Sequence, residues 1–303
     1  MQDTEAWSLY WQNNHQESCI TPCNETDSTI LIDIWKKFAL ELKPNIELLD
    51  LATGNGSVAR RLISFNKHLK VTAVDQASID PTKYVDDNIL LDNIQFVADV
   101  DIEKLPFEQN MFDAVTSQFG LEYSNLSLSI SELVRVLKQA GRFLFIMHHA
   151  DSEVVGPAKL KVKEFNLIFE SNLLHDFELF LSNNLSLEEL NKTGEKLLNN
   201  PELVKSNAIT GQIFSAIDKL IVLKSQNKKQ NAEVLLNTLQ NMTNRIVAEN
   251  SRLEQLISSS LTQIEIEALC NSLKNEGAKA TFKSITLSDN QSVIGWEIKG
   301  YKL

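Results

Sequence analysis

Three short apolar runs in this chain each lead to a carboxylate. Residues 46–51 carry Asp50, residues 69–74 are followed by Asp75, and residues 94–98 by Asp99. The first acid stands just before Thr53, Gly54, Asn55 and Gly56, where glycines permit positive φ values and close backbone approach to a ligand. Gly54, Gly56 and Ala59 satisfy G-x-G-x-x-[G/A], the dinucleotide fingerprint, so a nicotinamide or flavin oxidoreductase has to be weighed. Asp50 opposes that reading: a carboxylate aimed into the turn repels a pyrophosphate and suits a cationic ligand. A second group of reactive side chains comes later. His148 and His149 end another apolar run, and a neutral imidazole can accept a proton near pH 7. Strand alternation sends neighbours to opposite faces, so at most one of the two should reach a pocket. Tyr123 and Glu122 are the substitutes for the role of base.

Strands and tight turns must position these groups. Residues 46–51 are short enough to be a buried strand, and the glycine turn then opens a helix that Ser57 can cap. Strand, turn and helix together place backbone N–H groups and a helix N-terminus at the carboxyl edge of a sheet. A fourth strand ends near Gln118 and Phe119, so the loop 120–123 faces the same edge by topology. Leu133, Val134, Val136 and Leu137 read as one side of the next helix, which Gly141 is expected to end. Residues 142–147 read as the fifth strand, delivering the two histidines.

The segment Asp50-Leu51-Ala52-Thr53-Gly54-Asn55-Gly56, with Asp75 and Asp99 after the next two runs, resembles the class I, Rossmann-like methyltransferases, in particular their type 11-like domain. The family usually has glycine where this chain has Ala52. The resemblance covers about residues 46–150 and 262–303. It implies a doubly wound α/β fold, with a seven-stranded, mostly parallel sheet ending in an antiparallel hairpin, and S-adenosylmethionine as cofactor, leaving S-adenosylhomocysteine. It implies cofactor contacts at Asp50, Ala52, Gly54, Gly56, Asp75, Gln76, Asp99, Val100 and Gln118, with Asp75 accepting the ribose hydroxyls and Asp99 the adenine amino group. Asp113, at a strand start away from the ligand edge, should be structural. The expected catalytic residues are His148, His149 and Tyr123, and Tyr10, Trp11 and Glu122 are expected to touch the methyl acceptor. A non-catalytic module that keeps the cofactor pocket is the remaining alternative.

The rest of the chain sets limits. Its 303 residues are 43% hydrophobic and 23% charged, with a formal net charge of −11. That balance disfavours a nucleic-acid partner, whose phosphates need Lys and Arg, while an insertion over the pocket favours a small or medium-sized, partly apolar small-molecule acceptor. No basic leader or bilayer-length apolar run is present, so a cytoplasmic protein without a membrane span is expected. Cys19, Cys23 and Cys270 lack the paired spacing of a zinc site, and no metal is expected. Residues 1–45 read as a helical arm or lid, with Trp7, Tyr10 and Trp11 on one face, followed by a helix over about 28–42. Residues 151–261 read as an all-helical insertion capping the pocket, with helices starting near Pro157, Ser186, Pro201 and Lys229. Leu235, Leu239, Met242, Ile246, Leu253 and Leu256 form a seam suited to a packed helical face or a homodimer contact. A helix over 262–275 and a hairpin of 280–287 with 292–301, turning at residues 288–291, complete the chain.

Overall fold

The computed structural model describes residues 3–13, 15, 25–85, 90–203, 208–226, 232–287 and 292–303. Cys19, Cys23, Lys229 and the turn 288–291 lie outside them. The chain divides into two units, Gln2–Gly156 with Gln255–Leu303, and Pro157–Glu254.

The first unit holds a seven-stranded sheet of β1 (Glu47–Leu51), β2 (Lys70–Val74), β3 (Ile94–Val97), β4 (Phe112–Gln118), β5 (Leu137–His148), β6 (Ala278–Thr286) and β7 (Val293–Lys302). Their order is β3-β2-β1-β4-β5-β7-β6. Strands β1 to β5 are parallel, and β7 runs antiparallel to both β5 and β6. A parallel sheet needs apolar cover on both faces, and β1 supplies it by alternation. Leu48 packs with Trp35, Phe38 and Leu62 of α2 (Glu25–Glu41) and α3 (Ser57–Phe65). Leu49 and Leu51 face Leu133, Ile266 and Leu269 of α5 (Leu126–Val136) and α11 (Gln263–Asn275). The chain runs outward from β1 through β2 and the short α4 (Pro81–Tyr84) to β3 and then returns to β4. The crevice this reversal opens lies at the carboxyl ends of β1 and β4, the usual ligand position in such sheets.

Several local expectations are corrected. Leu137 does not belong to the helix: α5 stops at Val136, and Leu137 already pairs with Phe112 of β4. Gly141 therefore lies inside β5, where a Cβ would come within 2.7 Å of the Lys138 carbonyl oxygen. Ser57 does not cap α3; Gly56 is the capping residue, at φ 80°, without a side-chain cap bond. That leaves the first N–H groups of α3 without a capping side chain, and Ser57 and Val58 line the crevice. Asp113 is structural as expected, accepting from the Glu47 N–H (3.0 Å) and Lys138 Nζ (2.8 Å).

The second unit is helical: most of α6 (Val155–Glu170), then α7 (Leu173–Leu181), α8 (Leu187–Leu198), α9 (Ala208–Gln226) and α10 (Ala232–Ser259) up to Glu254. A full capping box, Ser186 with Glu189, starts α8. Pro201 itself sits in a turn, the next described α-helix is α9 from Ala208, and α7 is a separate helix that the sequence pattern does not mark off. In α10, Leu235, Leu239, Ile246, Leu253 and Leu256 are buried within the single chain. Among the described residues no helix is long and apolar enough to cross a membrane.

Candidate functional site

The turn after β1 is a rigid cradle. Gly54 and Gly56 have φ of 55° and 80°, and the Gly56 N–H bonds the Thr53 carbonyl at 2.9 Å. Only glycine enters this conformation without strain. Space is equally restrictive: a Cβ on Gly54 would come within 2.4 Å of the Trp11 indole, and one on Gly56 within 2.6 Å of the Phe96 ring. Asn55, almost fully buried between them, donates from Nδ2 to the carbonyl oxygens of Trp11 (2.9 Å) and His15 (2.7 Å). The N-terminal helix α1 (Asp3–Trp11) is thereby fastened to the glycine turn.

Two carboxylates flank this turn. Asp50 accepts from Thr53 Oγ1 and Thr116 Oγ1, both at 2.7 Å, and Asp75 accepts from the N–H groups of Gly54 (2.7 Å) and Ala77 (2.8 Å). Burial disfavours their charged forms and raises both pKa values to about 6. The hydrogen bonds oppose that rise in each case, and for Asp50 the Asp75 charge adds to it. Buried acids held ready to ionise beside a cleft suit a cation, which would replace the missing counter-charge.

The cleft has a volume of about 480 Å³. Asp50, Ala52, Thr53, Asp75, Gln76 and Gln118 form its floor, and Asp101, Ile102 and Glu103 follow along one side. Gln118 is held by the Trp35 indole N–H at 2.6 Å. Aromatic side chains make another wall: Trp11 stacks on Trp7 (6.1 Å between centroids), and Trp7 meets Tyr123 edge-on at 5.4 Å. Trp7 Nε1 donates to Gln255 Oε1 (2.8 Å), and Gln255, Ser258 and Ser259 also line the space.

Residues 49–145 match the family model of a methyltransferase domain. Similar curated proteins include the ubiquinone/menaquinone biosynthesis C-methyltransferase UbiE of Ectopseudomonas mendocina, 34% identical over 131 residues, 41% of this chain and 51% of that one. The same enzyme of Teredinibacter turnerae is 32% identical over 122 residues, 37% of this chain and 48% of that one. The chain thus spans about half the length of the curated relatives it matches. Among solved structures, the [4+2]-cyclase SpnF matches 47% of this chain and 57% of its own at 20% identity, with a TM-score of 0.38. Geranyl diphosphate C-methyltransferase of Streptomyces coelicolor A3(2) matches 48% and 65% at 16% identity, with a TM-score of 0.37.

Of the residues expected to act in the methyltransferase domain, Asp50, Ala52, Asp75, Gln76, Gln118, Tyr123 and Trp11 come together in the cleft. Gly54 and Gly56 shape its turn. Asp99 does not line it: the residue is exposed at φ 58°, and Asp101 and Glu103 stand in the cleft wall just beyond it. Val100 is buried in the core, and Tyr10 stacks on His15 at 4.1 Å, outside the lining. His148 is fully buried behind the wall, stacked on Phe119 (4.4 Å) and bonded through Nδ1 to Glu122 at 2.7 Å. Glu122 is therefore a partner of His148 and does not line the cleft. His149 stacks on Trp296, its Nδ1 accepts the Asp151 N–H, and burial lowers its pKa against the pull of Asp151. The bonds by which Thr53 and Thr116 hold Asp50 are not legible in the sequence. A hydroxyl three residues after a strand-end acid is a weak local signal, and Thr116 lies on another strand.

Proposed function

We propose that this chain is an S-adenosylmethionine-dependent methyltransferase acting on a small molecule. The observation that carries the reading is the pair Asp50 and Asp75, buried at the carboxyl ends of adjacent parallel strands, bracketing the Gly54 turn and lining one cleft. A dinucleotide pyrophosphate would meet two carboxylates there, whereas a ligand bearing an ammonium and a sulfonium would be attracted by them. Asp50, Gly54, Gly56 and Asp75 would hold the cofactor, with Ala52, Gln76 and Gln118 as neighbouring walls. When bound it would supply a methyl group on sulfur, with a neutral thioether as leaving group.

The protein's share of the reaction is then chiefly alignment, because a neutral leaving group needs no acid. Tyr123 would line the acceptor side through its ring, since its hydroxyl is buried. His148, held by Glu122 one layer behind Tyr123 and Phe119, would act as a positioning residue. The match to C-methyltransferase relatives supports the reaction class and leaves the acceptor open.

Calorimetric titration with S-adenosylhomocysteine and with NADH tests the reading. Binding of the first and not of the second is expected; the reverse result would overturn it. Steady conversion of S-adenosylmethionine in the presence of an acceptor would then separate an enzyme from a binding module.

A further inference from the structure

The cleft combines two features that together select for charge. Four of its lining residues are acids: Asp50, Asp75, Asp101 and Glu103. The proposed cofactor carries an ammonium, a sulfonium and a carboxylate, one net positive charge, so a negative surplus remains for whatever binds beside it. The second feature is the aromatic wall of Trp11, Trp7 and Tyr123, in which Trp11 stacks on Trp7 and Trp7 meets Tyr123 edge-on. Aromatic faces attract cations through their quadrupoles, most strongly when water is excluded. The two features meet at one place. Glu103 Oε1 accepts the Asn125 N–H at 2.7 Å, which fixes this carboxylate next to the Tyr123–Ser124 segment, and both Tyr123 and Ser124 line the cleft.

We propose that the acceptor is an amine, bound as its ammonium between the Trp7 and Tyr123 rings and the Glu103 carboxylate. This rests on the methyltransferase reading and narrows it to nitrogen methylation. The bound ammonium first loses one proton to solvent. Its freed lone pair then forms the N–C bond as the C–S bond electrons return to sulfur, so the product amine carries the positive charge. Acceptors bearing phosphate or carboxylate groups are disfavoured by the same field.

Three probes of one shape, phenethylamine, 2-phenylethanol and phenylacetate, test the proposal by calorimetry against the full chain, with and without saturating S-adenosylhomocysteine. Phenethylamine should bind at least about tenfold more tightly than 2-phenylethanol, the order of a desolvated cation–π contact with a nearby carboxylate. Phenylacetate should bind more weakly than both. Glu103→Gln keeps an oxygen for the Asn125 N–H and removes the charge, and should cut the amine's advantage at least threefold; Trp7→Leu should do the same through the ring face. Equal or tighter binding of 2-phenylethanol or phenylacetate, or no binding of phenethylamine in either state, overturns the proposal. Loss of the amine preference with S-adenosylhomocysteine still bound would sink the acceptor class and leave the methyltransferase reading standing. Amine binding without S-adenosylhomocysteine binding would overturn the methyltransferase reading and, with it, the nitrogen-methylation proposal that rests on it.

Discussion

The methyl group of Ala52 fills the space that a side chain on Gly120 would need: a Cβ built on Gly120 would lie 2.3 Å from it. Ala52 is itself left-handed, at φ 51°, a conformation that costs an L-residue roughly 1–2 kcal/mol. The chain thus places alanine at a strained position in the cleft floor and makes room for it with glycine across the crevice. Gly120→Ala should therefore destabilise by roughly 1–3 kcal/mol through overpacking. Adding Ala52→Gly should recover much of that loss, giving a coupling of about 1–2 kcal/mol in a urea-denaturation cycle. Additive effects would show that the two methyl groups do not compete for the space.

Glu122 and His148 are tied twice, through the His148 backbone N–H (2.8 Å) and its Nδ1 (2.7 Å), with both side chains fully buried. The same Glu122 oxygen, Oε1, accepts the backbone N–H and shares a hydrogen bond with the ring nitrogen, so one carboxylate fixes both the main chain and the imidazole of His148. Glu122→Ala would leave both His148 groups without their partner in the interior, and we expect a loss of about 3 kcal/mol in unfolding free energy. Glu122→Gln keeps one acceptor and should lose less. A Glu122→Ala shift below about 1 kcal/mol would remove the pair from any positioning role.

The cradle was legible in the sequence because its signals are local. Apolar runs ending in acids and two glycines one residue apart each fix a strand end or a turn, and the helix starts expected near Ser186 and at Thr262 coincide with capping residues. What failed was the boundary at Leu137, where the apolar period of α5 continues into β5 and nothing in composition marks the change. Cross-chain pairings were also illegible: Glu122 with His148, Thr116 with Asp50, and the Trp11 indole over Gly54 join residues far apart in sequence. The role expected of Asp99 came from the family resemblance; Asp99 has a left-handed backbone and is exposed, and Asp101 and Glu103 line the cleft.

Asp75 and Asp99 should consequently behave differently. Asp75→Ala leaves the N–H groups of Gly54 and Ala77 without their acceptor and loosens the turn, at roughly 1–3 kcal/mol for each buried group. Its affinity for S-adenosylhomocysteine should fall about tenfold or more by titration. Asp99→Ala should stay within about twofold of the parent, since the residue is exposed and outside the lining. Equal losses in both variants would return Asp99 to the site.

The last expectation concerns pH. Asp50 and Asp75 have pKa values raised by burial to about 6, above the ordinary value of 3.8. Because the folded value exceeds the unfolded one, their contribution to stability is full below pH 4. It is lost as the pH rises from there through 6, where the folded protein must carry buried charge. A cationic ligand reverses the preference, since it binds the ionised carboxylates and is repaid by their charge. Affinity for S-adenosylmethionine should therefore rise between pH 5 and pH 7, by about tenfold for each acid that must ionise, with proton release on binding at pH 6. Calorimetry in buffers of different ionisation heats reads both quantities. In Asp50→Asn the slope with pH should be halved and the proton release reduced. A flat affinity from pH 5 to 7 in the parent would show that the two carboxylates do not face the ligand's positive charge, and the cation-binding role of the Gly54 turn would fall with it.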